Sequence, residues 1–178
     1  MLFNVTEIAM ATAVACSEGA KIPAYEERIK RLLKSGLIEV HTTESDHPRA
    51  ARLLTAEEAC LASILAFTVE YLNFDIHLQR AIAKAVRRSS ASSNPSAGIR
   101  AAHDLRRAVE GVADGEKWAL SISVRGPLDL IARFVPYDEA YPNDGTEALM
   151  EAQGRPLLAK VILGVNDLFE PFARSLRA

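Results

Sequence analysis

Ten consecutive residues in the middle of the chain, Ser89-Ser-Ala-Ser-Ser-Asn-Pro-Ser-Ala-Gly98, carry no large apolar side chain. Such a run buries too little surface to offset the entropy of ordering it against a core. It reads as a linker, and the apolar residues on either side must then build cores of their own. At 178 residues the chain has room for one domain or two small ones, and surface scaling allows about 70% of its surface to be buried without disulfides. The organisation expected is a first domain over 1–73, a connecting helix and linker over 74–98, and a second domain over 99–178.

Other classes are disfavoured. The longest apolar stretches, such as Ala59–Val69, are broken by Ser or Thr and stop at Glu70, short of the ~20 residues that cross a bilayer. The start, Met1-Leu-Phe-Asn-Val-Thr-Glu, lacks the basic and apolar regions of a secretion signal, so a cytoplasmic protein is expected. Cys16 and Cys60 each sit in an Ala-rich helical stretch and read as packing residues, because a reducing compartment disfavours joining them.

Helix signals open the chain. Val5, Ile8, Ala9, Thr12 and Ala13 share one face behind a cap at Asn4 or Thr6, and Ser17-Glu-Gly19 ends the helix near Cys16. A second helix starts near Pro23 and stops at Ser35-Gly36. It buries Ile22, Tyr25, Ile29, Leu32 and Leu33. Ala24, Glu27, Arg31 and Lys34 lie on its opposite arc, flanked by Arg28 and Lys30. Leu37–Val40 and Ala50–Leu54 then read as the arms of a small hairpin around the polar tip His41–Arg49. Thr55-Ala-Glu-Glu58 is a capping box for a third helix with Leu61, Ile64, Leu65, Thr68 and Leu72 inward. After Asn73-Phe-Asp75, Leu78, Ile82, Ala85 and Val86 mark a fourth helix ending in Arg87-Arg88.

Beyond the linker, Ile99, Ala102, Leu105, Val109 and Val112 recur at helical spacing. Trp118, Leu120, Ile122 and Val124 alternate with Ala119, Ser121, Ser123 and Arg125, the signal of a half-buried strand, and Leu128–Val135 alternates again to complete a second hairpin. Tyr141–Gly145 reads as a loop and Thr146–Met150 as the start of a short helix. Leu158, Val161, Ile162, Val165, Leu168, Phe169 and Phe172 fit one helical face, which Pro171 should bend or cut. The fold class expected is mainly α with two short β-hairpins, an α+β arrangement.

Charge is uneven. The net charge is −2, but residues 74–107 hold seven basic and two acidic side chains, while 108–178 hold seven basic and eleven acidic ones. Helix, helix, two short strands, helix within residues 5–72 is the order of a winged helix-turn-helix, whose second helix enters the major groove while cations on the wing meet phosphates. Lys21, Arg28, Lys30, Arg31 and Lys34 would serve the helix, and His47, Arg49 and Arg52 the wing.

Three segments carry a resemblance: Val5-Thr-Glu-Ile-Ala9, Tyr25-Glu-Glu-Arg-Ile-Lys-Arg-Leu-Leu-Lys-Ser-Gly-Leu-Ile38 and Arg52-Leu-Leu-Thr-Ala-Glu-Glu-Ala59. Together they resemble the MerR-type, excisionase-like winged-helix family over residues 3–72, which implies duplex DNA as the partner. The family's Arg-Tyr-Tyr-Glu is here Pro23-Ala-Tyr-Glu26, the first two helices are further apart through Ser17–Ile22, and the wing lacks Gly-Tyr-Arg.

The residues give little support to catalysis. His41, His47, His77 and His103 have no metal-ligand spacing, Ser121 and Ser123 lack a nucleophile-elbow setting, and the glycines do not form a phosphate loop. No enzyme activity, metal or cofactor is expected. A hairpin alone is marginal, so the second half must pack on its own helices or on a twin. The face of Leu158, Ile162, Val165, Phe169 and Phe172 is the candidate dimer seam. The reading that results is a homodimeric, DNA-binding transcriptional regulator. Two others stay open: a non-enzymatic protein-protein adaptor that docks through the winged helix, and a domain that senses a protein partner or a small-molecule effector, with Trp118 and Phe134 near its pocket.

Overall fold

The computed structural model describes residues 2–41, 53–88, 105–126, 129–140 and 159–177. It is mainly helical with small antiparallel β elements, an α+β protein. Two compact units emerge, Met1–Arg80 with Asp167–Ala178, and Ala81–Asn166. The end of the chain therefore belongs with the N-terminal unit, where continuous domains over 1–73 and 99–178 had been expected.

In the first unit, α1 spans Val5–Ala15 because both halves of a capping box form: Asn4 Oδ1 accepts the Glu7 N–H at 3.0 Å, and the Glu7 carboxylate accepts the Asn4 N–H at 2.8 Å. After Ser17 at φ 57° and a 3-10 turn over Gly19–Lys21, α2 runs Ile22–Lys34 with Pro23 in its first turn. Gly36, at φ 67°, then donates its N–H to the Leu33 carbonyl while Leu37 donates to that of Leu32, the paired closure that a left-handed residue permits. α3 spans Ala56–Leu72 behind Thr55, whose hydroxyl accepts the Glu58 N–H, and the Glu58 carboxylate accepts the N–H of Glu39.

Of the first hairpin, the described residues show an antiparallel bridge between His41 and Leu53, and Leu37–Val40 is not in a ladder. Leu54 turns to Phe3 on its other side, with backbone hydrogen bonds of 2.9 Å each way. The rest of the tip, with His47 and Arg49, and Arg52 of the second arm lie outside the described residues. So do the run Ser89–Gly98, residues 99–104, the Tyr141–Gly145 loop and the start of the helix placed at Thr146.

Apolar side chains from α1, α2 and α3 fill this unit: Ile8, Tyr25, Ile29, Leu61, Ile64 and Leu65 are buried. A buried polar pair is matched, since the Thr12 hydroxyl bonds the Ile8 carbonyl at 2.7 Å and the Ser63 hydroxyl at 2.8 Å. Asn73, at φ 51°, closes α3 and leads to α4, Ile76–Arg88.

The second unit holds α5 (Leu105–Ala113) against a three-stranded antiparallel sheet in the order β2-β1-β3, with β1 Trp118–Gly126, β2 Asp129–Pro136 and β3 Ala159–Gly164; a short helix, α6, follows β2 at Tyr137–Ala140. The Trp118 indole crosses α5 at Gly111, where no side chain intervenes, and its N–H donates to the Glu116 carboxylate at 2.9 Å. Asn166 ties the start of β1, accepting the Trp118 N–H at 2.8 Å and donating to the Glu116 carbonyl at 2.7 Å.

Two expectations need correction. The alternation along β1 implied one wet face, yet Ala119, Ser121 and Ser123 are buried as well as Trp118, Leu120 and Ile122; small side chains let the second face be covered closely. The helical face drawn from Leu158 to Phe172 is divided between β3 and α7 (Asn166–Ala173). Lys160–Leu163 is apolar on both alternate faces apart from its lysine, so it shows no period of two. Pro171 lies within α7 without cutting it, and a 3-10 turn follows at Arg174–Leu176.

Candidate nucleic-acid interface

The exposed side of α2 is the arc drawn from its spacing. Ala24, Glu27, Lys30, Arg31 and Lys34 face solvent, while Tyr25, Ile29 and Leu32 face inward. Lys30 pairs with Glu26 at 3.4 Å and Arg31 with Glu27 at 3.3 Å, one turn apart on the same helix. Such exposed pairs are worth only about 0.3–0.5 kcal/mol, so either cation can turn to a stronger anion at small cost. Lys34, in the last turn of the helix, has no anionic partner among the described residues.

The other two cations assigned to this helix have a different task. Arg28 is half-buried; its guanidinium pairs with Glu70 of α3 and lies 5.4 Å from the centre of the Tyr25 ring. Lys21 bridges Glu18 at 2.5 Å and Glu70 at 2.9 Å. The Lys21 ammonium, and behind it Arg28, hold the Glu70 carboxyl below the usual glutamate range, and Lys21 does the same for Glu18. Tyr25 is buried and donates its hydroxyl to Glu18 at 3.0 Å. These contacts tie the start of α2 to the preceding turn and to α3, and they engage Lys21 and Arg28 within the protein. Spacing on α2 alone could not reveal this, because the partner is 42 or more residues away. The signal available was Glu70 itself, a lone charge in the apolar stretch from Ala59 to Leu72.

Beside the arc, Asn4, Val5 and Thr6 at the start of α1 face Glu27, Lys30, Leu33 and Lys34 across a shallow cleft of about 600 Å³. The Thr6 hydroxyl and then Lys30 hold the Glu26 carboxyl below its usual range. The cleft was not foreseen, since it joins residues about twenty-five positions apart.

Elsewhere the candidate residues separate. Phe172 meets Phe3 edge-to-face, ring centres 5.1 Å apart, inside the N-terminal unit. Val165, Phe169 and Phe172 are buried within the chain, so they have no surface to offer a twin in this conformation; Ile162 packs against Ala119 and Val135 of the sheet, and Leu158 lies outside the described residues. Trp118 and Phe134 are buried too. A hollow of about 420 Å³ beside Trp118 is lined by Arg107, Glu116, Lys117, Pro136 and Asp138, without Phe134. Both cysteines are free thiols, and burial raises the pKa of each, which disfavours the reactive thiolate. Among the described residues no three His, Cys, Asp or Glu side chains come together as a metal site, and no helix is long and apolar enough to cross a membrane. Comparison with models of known protein families and with curated proteins finds no match.

Proposed function

We propose that the N-terminal unit binds duplex DNA through the exposed arc of α2 and that the protein is a cytoplasmic transcriptional regulator without enzymatic activity. The observation that carries this reading is the arc itself: Lys30, Arg31 and Lys34 stand in solvent on a helix whose orientation is set by the Lys21, Glu70 and Arg28 contacts. A helix held in this way can enter a major groove without first being ordered. Arg31 and Lys34 then meet phosphates or guanine edges, and Glu27 between them can accept from a cytosine amino group. The element order and the resemblance of residues 3–72 to MerR-type winged helices support the same assignment.

Among the described residues α2 offers three free or loosely paired cations, and a homodimer that sets two such helices a duplex turn apart and doubles these contacts is part of the proposal. Its seam lies outside the buried face of Val165, Phe169 and Phe172. The test is retardation of genomic DNA fragments by the intact protein and by the Arg31→Glu/Lys34→Glu variant. Loss of at least tenfold in affinity toward all fragments is expected; undiminished binding by the folded variant overturns the assignment.

A further inference from the structure

The side of α1 turned away from the core carries large apolar side chains and a single charge. In eleven residues the helix carries one charge, Glu7; Ile8, Ala9, Thr12 and Ala13 face the core, while Met10 is 50% and Val14 68% exposed. A helix apolar all round belongs in an interior or against a partner. Glu7, Met10, Ala11, Val14 and Ala15 form one face at helical spacing, and together with Asp167, Glu170 and Pro171 of α7 they line a groove of about 600 Å³. None of its lining residues is basic.

From this geometry we infer that the groove docks a basic amphipathic helix of a partner protein. The small side chains of Ala11 and Ala15 let a second helix approach closely. The span from Glu7 to Ala15 is about two turns, matched by a ligand with apolar anchors at i, i+3 or i+4, and i+7. The charges choose the occupant. Glu7 is tied to the N-terminus of α1 and Glu170 to Arg174 at 2.5 Å, but Asp167 has no partner among the described residues, and Lys or Arg flanking the anchors would meet it. A symmetric contact between two copies would instead set these three carboxylates against their own images, so a twin is disfavoured. This groove shares no residue with the α2 arc or its cleft, and the inference holds whether or not DNA binds there.

The test uses the full chain and a fluorescein-labelled helical peptide of fifteen residues with Leu anchors and Lys flanks, alongside a twin carrying Glu for Lys, read by fluorescence anisotropy. The basic peptide is expected to bind at least tenfold tighter than its acidic twin. Val14→Lys and Asp167→Lys should each weaken it at least tenfold with the circular dichroism spectrum unchanged; Val14 is largely exposed and Lys is the better helix former, so that variant folds. Equal binding of the twins, or binding indifferent to both substitutions, overturns the inference. So does self-association that Val14→Lys abolishes, which would make a second copy the occupant.

Discussion

Gly111→Ala pits helix propensity against packing. In an open helix interior this change favours folding by about 1 kcal/mol. At Gly111, however, an added methyl carbon would overlap Trp118 Nε1 and stand 2.5 Å from Glu116 Oε2 and 2.7 Å from Trp118 Cε2, against an ordinary contact of about 3.5–4.0 Å. The indole must withdraw by more than about 1 Å, yet it is 1% exposed and its N–H is held by Glu116 at 2.9 Å. Overpacking of this kind costs about 1–3 kcal/mol, and the loss of a hydrogen bond to a carboxylate adds about 1.5 kcal/mol or more. The packing side wins by about 2 kcal/mol. Trp118 is the sole tryptophan, so its emission reports this unit directly during urea unfolding. With a slope of about 2 kcal/mol/M the midpoint falls by about 1 M. A midpoint that stays or rises would show that the ring has room to move, and would refute the close approach of α5 and β1.

Thr12→Val leaves the buried Ser63 hydroxyl without its 2.8 Å partner and should cost about 1–3 kcal/mol, whereas adding Ser63→Ala should recover most of the loss; a double variant no better than the single contradicts the pairing. Phe172→Ala should destabilise the N-terminal unit by about 3–5 kcal/mol, read by thermal unfolding, because its ring packs on Phe3; intact stability with only an altered oligomer would restore it as a seam. Glu18, Glu26 and Glu70 all have folded pKa values below the usual 4.5, so their contribution is present above about pH 4.5 and is lost as pH falls through the lowered values. Glu70→Gln should therefore flatten the acid limb of the thermal midpoint against pH, and an unchanged limb would show that Lys21 and Arg28 do not depend on it.

Local chemistry was legible. Asn4, Pro23, Gly36 and Thr55 marked helix ends that the structure keeps to within a residue or two, because caps and left-handed closures act over three or four residues of backbone. The exposed arc of α2 was also readable, since helical spacing alone decides which side chains oppose Tyr25, Ile29 and Leu32. What escaped depends on contacts distant in the chain. The bridge between Phe3 and Leu54 leaves no periodic trace, and the Glu70 contacts that redirect Lys21 and Arg28 join α3 to the start of α2. β3 reads as a helical face in the sequence because Val161, Ile162 and Leu163 are consecutive apolar residues, and a strand with apolar side chains toward both faces loses the alternation that identifies it. Phe169 and Phe172 were correctly helical, but their surroundings depended on α7 joining the N-terminal unit.

The salt dependence of DNA binding, measured on one fixed duplex with the parent and the Arg31→Gln/Lys34→Gln variant, bears most directly on the proposed function. Each phosphate contact contributes about 0.9 to the slope of log affinity against log salt. If both side chains meet phosphates, the variant's slope should be shallower by about 1.8 in each copy bound. Parallel lines for the two proteins, with equal affinity, would mean that nucleic acid does not meet Arg31 and Lys34 and would contradict the account.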